Sequence, residues 1–423
     1  MLRSHQNRAL QRMQQYDKGQ VIIPTGGGKT MCMIADTKIQ HQPISSDTHL
    51  SHLPHTTVVV APRILLAVQL CEEFMEMIDG SYTHIMHVHS GETHHFSTTN
   101  IEKIHLFAGC ARTAGENVII FTTYNSLQRI VEADIEVNTI YFDEAHNSVQ
   151  RHFFPAVEYF SNEADRCYFF TATPKHSNVF HKPGMNDTAV YGQVICNVPA
   201  PELVNNGYIL RPTINAYEVD IERQKGVHAR DDDRSTLLDM VDGLDDSINH
   251  KILVAAPTSK VMWAMLAGTA IIDDLNERGY DVLHITSKYG AYLNKTKVNR
   301  EKFFDTFNDW GKDPNRKFVI FHYSILSEGI NVHGLTHTIF LRNLPSIEMA
   351  QTIGRVIRLH RDDSADIQSG KITAGVTSMY RKPTGFVTVP VFKNYGKQTI
   401  SRLENLVETI FDKGMPATSV VNR

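Results

Sequence analysis

The chain has 423 residues, of which 42% are apolar and 21% charged, and its formal net charge is −4. This is ordinary globular composition with room for two or three domains, and it excludes a polycation, so any nucleic-acid surface has to be local. No apolar stretch approaches the roughly 18 residues of a membrane span, the N-terminus lacks the apolar core of a secretion signal, and the cysteines are too scattered for a disulfide frame or zinc ribbon; a cytoplasmic protein with no membrane partner is expected.

In chain order, short apolar runs at 20–23, 57–61, 117–122, 139–142 and 166–170 read as buried parallel strands. Helix-like stretches such as 64–78 separate them. Pro199, Pro201, Asn205, Asn206, Gly207 and Pro212 then break the pattern and predict a linker over 199–214. The acids Asp231, Asp232 and Asp233 read as an exposed loop. A second α/β series follows, with strands at 252–256, 281–286, 317–322 and 338–342. A further run at 385–391 predicts an edge strand, and 402–411 a closing helix. The expected domains are 1–198 and 215–385, with a short C-terminal strand and helix over 386–423. Strand–helix alternation in both halves implies α/β domains, each with a mainly parallel sheet flanked by helices.

Residues 20–30, Gln-Val-Ile-Ile-Pro-Thr-Gly-Gly-Gly-Lys-Thr, form a strand, a glycine turn and a helix start. Gly26, Gly27 and Gly28, with Thr25, let backbone amides converge on phosphate oxygens, and the helix N-terminus adds a favourable dipole. Lys29 is placed to reach the β- and γ-phosphates of ATP, and Thr30 to offer its hydroxyl to Mg²⁺. The strict phosphate-loop pattern asks for glycine where this chain has Ile23.

A second apolar strand delivers Asp143 and Glu144 at its carboxyl end, where α/β sheets bind ligands. Asp143 suits a Mg²⁺ ion, and Glu144 suits the orientation and deprotonation of an attacking water. Near the other end of the chain, Gln351, Arg355 and Arg358 are spaced i, i+4 and i+7 and share one face if 349–358 is helical. Two arginines on one stripe suit a triphosphate clamp. Met349, Ile353, Val356 and Ile357 fall on another face, suited to a core.

Two features call for the plainer interpretation. His84, His87, His89, His94, His95 and His105 repeat no metal-ligand spacing and read as a polar insertion. Phe303, Phe304, Phe307 and Trp310 at helical spacing read as core, not as a base-stacking platform.

Taken in order, these segments resemble the motifs of superfamily 2 helicases. The phosphate loop looks like motif I, Asp143-Glu144-Ala145-His146 like a DEAH motif II and Thr171-Ala172-Thr173-Pro174 like motif III. The run 324–330 looks like motif V and 351–358 like motif VI; 60–63 and 121–124 look like motifs Ia and Ib. The style is closest to the phage UvsW-like branch-migration helicases and the type III Res-like motor subunits of restriction enzymes.

The resemblance implies two tandem RecA-like domains with ATP in the cleft between them. It also implies roles. Gln6, with Arg3, would read adenine, and Gly329 would line the nucleotide. His146, Thr171, Thr173, Glu328 and Gln351 would couple hydrolysis to domain movement. Arg355 and Arg358 would reach the γ-phosphate. Arg63, Thr122, Thr123, Tyr124, Thr286 and Ser324 would contact the nucleic-acid strand. Asn331 stands where many relatives carry aspartate, so a nucleotide contact there loses its charge. The implied partner is nucleic acid, DNA before RNA, and the implied place is the cytoplasm, a host's if the chain is viral. An RNA helicase, a restriction or defence motor subunit and an ATP-binding clamp without turnover stand as alternatives. Both a monomer and a motor directed by partner subunits remain open.

Overall fold

The computed structural model describes residues 2–41, 54–91, 93–245, 248–256, 258–286, 288–323 and 334–422. They fall into two compact units, residues 1–198 with 418–423, and residues 199–417.

The first unit is built on β1 (Lys18–Ile22), β2 (Thr56–Ala61), β3 (Thr83–Val88), β4 (Phe96–Ser97), β5 (Asn117–Thr123), β6 (Thr139–Phe142), β7 (Arg166–Thr171), β8 (Lys175–Ser177) and β9 (Val194–Asn197). Among the described residues one sheet runs β4-β3-β5-β2-β6-β7-β1-β9, and its neighbouring strands are all parallel. Parallel strands joined by helices are covered on both faces, which is why β2 and β5 are buried from end to end. Val58, Ile120, Phe142 and Phe169 share one core, in which the Phe142 and Phe169 rings stack 4.9 Å apart. Each such side chain contributes about 1.5–3 kcal/mol by leaving water.

β3 corrects the expected polar insertion. Thr83–Val88 is an inner strand beside β5, and His87 is wholly buried with its ring stacked on Phe121 at 5.6 Å. His84 and His87 interrupt the apolar run and hide the strand in the sequence.

The second unit holds β10 (Pro212–Val219), β11 (Lys251–Ala255), β12 (Asp281–Thr286), β13 (Gly290–Leu293), β14 (Thr296–Val298), β15 (Phe318–His322), β16 (His337–Phe340) and β17 (Gly385–Phe392). Their order is β10-β17-β16-β11-β15-β12-β13-β14; the strands from β10 to β12 are parallel, and β13 and β14 add an antiparallel hairpin. Ile252, Val254, Val319 and Phe321 pack under Leu237, Met262 and Leu275 from the covering helices.

Several expectations change here. β17 is not an edge strand, because β10 pairs along its whole length, from Pro212 opposite Gly385 to Val219 opposite Phe392. The stretch expected as a linker therefore contains structure of its own: a helix at Ala200–Asn205 and the start of β10. Asp231, Asp232 and Asp233 are not a loop but part of the helix Ala229–Asp242; Asp231 and Asp232 lie in its first turn, where carboxylates suit the helix dipole. Asp233 is buried and takes two hydrogen bonds from Arg223, at 2.6 and 2.7 Å. Phe303, Phe304 and Phe307 are core residues of the helix Arg300–Lys312. The closing helix runs Lys397–Val407 and widens into a π-turn, Glu408–Asp412. The chain then returns to the first unit, where β18 (Ser419–Val421) pairs with β8 in parallel. No helix among the described residues is long and apolar enough to cross a membrane.

Candidate functional site

The chain leaves β1 into the glycine loop at the carboxyl end of the first sheet. Gly27 N–H donates to the Pro24 carbonyl at 2.9 Å and closes the turn. Gly26 (φ +85°) and Gly28 (φ +81°) take left-handed backbone, which costs any other residue about 1–2 kcal/mol. A Cβ on Gly28 would stand 2.4 Å from Gln6 Nε2. Directly after Gly28 begins the helix Lys29–Gln40, and the free amides and dipole of its first turn favour an anion. Thr30 lies in that turn. Lys29 Nζ donates to Glu144 Oε1 at 3.1 Å.

β6 brings the acids to the same edge. Asp143 N–H donates to the Val60 carbonyl at 2.8 Å, and Tyr124 Oη donates to the Asp143 carbonyl at 2.9 Å. Burial, then the charge of Glu144, holds the Asp143 carboxyl above its ordinary range, while Lys29 opposes the shift. Glu144 itself has φ +44°, a left-handed conformation that a glutamate keeps only under constraint.

His146 Nδ1 lies 3.1 Å from Thr171 Oγ1 and 3.4 Å from Thr173 Oγ1, and Thr173 N–H donates to Thr171 Oγ1 at 3.0 Å. Thr171 ends β7, opposite Ile22 of β1. Three segments far apart in sequence thus meet because their strands lie side by side in the order β6-β7-β1.

The N-terminal helix, Ser4–Met13, reaches the same loop. Gln6 Nε2 donates to the Gly28 carbonyl at 3.2 Å, and Gln6 Oε1 accepts from Arg3 N at 2.9 Å. His5 Nε2 donates to the Gly27 carbonyl at 2.7 Å. Sequence reasoning passed over His5; its only signal was its place beside Gln6.

The donor set fits Mg²⁺ in one particular way. Among the described residues no three His, Cys, Asp or Glu side chains gather as a metal cage. One carboxylate, Asp143, and one hydroxyl, Thr30, suit an ion that keeps several waters and takes phosphate oxygens. The buried, mutually repelling Asp143–Glu144 pair is favoured by any added cation.

The expected strand contacts lie differently. The hydroxyls of Thr122 and Tyr124 turn inward, to the Val88 and Asp143 carbonyls. Thr123 Oγ1 donates to Ser126 Oγ at 3.4 Å, and Thr286 Oγ1 accepts from Tyr289 N at 2.9 Å. Arg63 occupies the N-cap position of the helix Ile64–Met75 and is half-buried.

In the second unit the helix Ser346–Val356 carries Gln351 and Arg355 four residues apart, both buried. Arg355 is close enough to His322 to lower that ring's pKa, after burial; together with Arg342 they push it to about 3. The shared stripe of three residues needs correction. The helix stops at Val356, and Arg358 sits in an antiparallel bridge with Ile209. Leu210 N–H donates to the Ile357 carbonyl at 2.7 Å, so strand-like pairing takes the backbone that a longer helix would have used. Ser324, Glu328, Gly329 and Asn331 lie outside the described residues.

Residues 1–176 match the family described as type III restriction enzyme, res subunit, and residues 233–360 match the helicase conserved C-terminal domain. These two domains, on a fold of two mainly parallel sheets flanked by helices, are those of superfamily 2 helicases. The first of the two matched domains is of the Res type. No curated protein matches it. Among solved structures it is similar to the ATP-dependent type ISP restriction-modification enzyme LlaBIII bound to DNA (TM-score 0.68, 16% identity, 100% of this chain and 31% of that one). It is also similar to a nuclease-deletion mutant of the type ISP enzyme LlaGI in complex with a DNA substrate mimic (0.64, 17%, 99% and 30%). Mss116p bound to ssRNA and AMP-PNP has the same fold (0.57, 14%, 100% and 78%). The chain spans under a third of the length of the two type ISP enzymes.

Proposed function

We propose that this chain is an ATP-driven DNA translocase or helicase. The observation that carries the reading is the convergence of Lys29, Glu144, His146 and Thr171 at one sheet edge, beside a helix N-terminus. In it, the phosphates of ATP rest on the amides of 26–30. Lys29 leaves Glu144 for the β- and γ-phosphates, which frees Glu144 to orient and deprotonate water. Thr30 and Asp143 would hold Mg²⁺, which would neutralise charge on the phosphates. His146 relays the state of Glu144 to Thr171 and Thr173. The resemblance to motif VI gives Arg355 and Arg358 the role of stabilising charge on the transferred phosphoryl group. Gln6 gives up its bond to the loop carbonyl to read adenine.

DNA is favoured over RNA by the Res match and by the DNA bound in two similar structures; the Mss116p likeness supports the engine but not the track. The same Res match favours a motor that works with restriction-type partners over a branch-migration enzyme. The proposed motor domains are 1–198 and 215–385, acting in the cytoplasm. ATPase rates with double-stranded DNA, single-stranded DNA and RNA test the reading, with Glu144→Gln as control. DNA should stimulate the wild type, and Glu144→Gln should lower kcat by about 10²–10⁴. Stimulation by RNA alone refutes the track. A wild type no faster than Glu144→Gln, with DNA present, refutes turnover in favour of a clamp.

A further inference from the structure

We propose that Lys382 is a positioning residue for Arg358, holding in place the backbone that carries the arginine. Its Nζ donates to the carbonyls of Val356 (2.6 Å), Arg358 (2.7 Å) and Leu335 (2.6 Å). An ammonium has three N–H donors, and here each has its own carbonyl. Val356 is the last residue of the helix Ser346–Val356, so its carbonyl has no partner inside the helix. A cation also suits a helix C-terminus. Lys382 thus fastens the backbone on both sides of Ile357, the point where the chain leaves the helix and swings Arg358 away.

The fastener is itself fixed. Lys382 is 6% exposed and Asp363 not at all. Lys382 N–H donates to Asp363 Oδ2 at 3.2 Å, while Asp363 Oδ1 accepts from Arg381 N at 3.0 Å and from Arg381 Nη1 at 3.1 Å. Burying an amine is costly, and burial, followed by the charge of Arg358, pushes the Lys382 ammonium down to about 7. Core packing alone would be served better by an apolar side chain. What the amine adds is a fixed path for residues 356–358.

The inference rests on reading Arg358 as the residue that acts on the γ-phosphate, and one set of variants tests both. The full chain is assayed with DNA as wild type, Lys382→Met, Arg358→Ala and the double variant. Lys382→Met should lower kcat by about 10², the usual effect of misplacing a catalytic group by an ångström. The ADP affinity, set by the first unit, should stay within about twofold. The double variant should be no slower than Arg358→Ala, because both changes remove one action. A Lys382→Met enzyme at wild-type rate, beside a slow Arg358→Ala, overturns the proposal alone. So does a double variant slower than Arg358→Ala by the full Lys382→Met factor, which is what a general structural role would give. Arg358→Ala at wild-type rate overturns the reading of Arg358 itself. Thermal unfolding checks that each variant folds; if Lys382→Met does not, Lys382→Gln, which keeps two donors, decides by the same comparison.

Discussion

Replacing Gly28 with alanine should weaken the first unit in two separable ways. The first is local: φ +81° is left-handed, and a Cβ there costs about 1–2 kcal/mol. The second is a collision, since the new Cβ would lie 2.4 Å from Gln6 Nε2. Gln6 has to swing off its bond to the Gly28 carbonyl (3.2 Å), at about 1 kcal/mol. The sum is roughly 2–3 kcal/mol. Both tryptophans, Trp263 and Trp310, lie in the second unit, so the first unit is better followed in urea by circular dichroism and proteolysis. In a Gln6→Ala background only the backbone strain remains, and Gly28→Ala should cost about 1 kcal/mol less than in the wild type. An equal cost in both backgrounds refutes the collision, and a cost under about 0.5 kcal/mol refutes the strain as well.

Tyr124→Phe removes the hydroxyl that reaches the Asp143 carbonyl; it should destabilise the first unit by about 1–3 kcal/mol, and urea titration at pH 7 checks this. His322 and His337 are both pushed to about 3 by burial first, so the folded second unit holds them neutral. The unfolded chain takes up their protons near the ordinary 6.5, so stability is intact above that pH and falls between about 6.5 and 3. Each histidine contributes a slope of up to about 1.4 kcal/mol per pH unit. Tryptophan fluorescence in urea at stepped pH reads this directly, and His322→Asn should remove one histidine's share; a flat profile refutes it.

The nucleotide edge was legible because the phosphate loop and the Asp143–Glu144 strand are local patterns: a strand, a turn and chemistry within a few residues. The inner strands of both sheets were legible for the same reason, as continuous apolar runs. What the sequence concealed depends on pairing at a distance. β10 reads as a polar, proline-led stretch, and only its alignment with β17 makes it a strand. Arg358 looks helical by spacing, but the bridge to Ile209 and the bond from Lys382 hold it off the helix. Asp233 looks like a solvated acid until Arg223, ten residues earlier, closes on it. The inward turn of Thr122 and Tyr124 depends on β3 and on the Asp143 carbonyl, neither of which a local pattern announces.

The return of the chain to β8 has a consequence for the order of folding. Between Val198 and Thr418 lie 219 residues (417 − 199 + 1). Closing a flexible loop of that length costs about 5 kcal/mol by its length alone, more than a three-residue ladder can repay. The folded second unit removes that cost, because it gathers its own ends: Pro199 Cβ stands 3.1 Å from where a Cβ on Gly414 would be. β18 can therefore dock only after residues 199–417 have folded. Hydrogen exchange at Ser419–Val421, in one unit, then becomes a gauge of the integrity of the other.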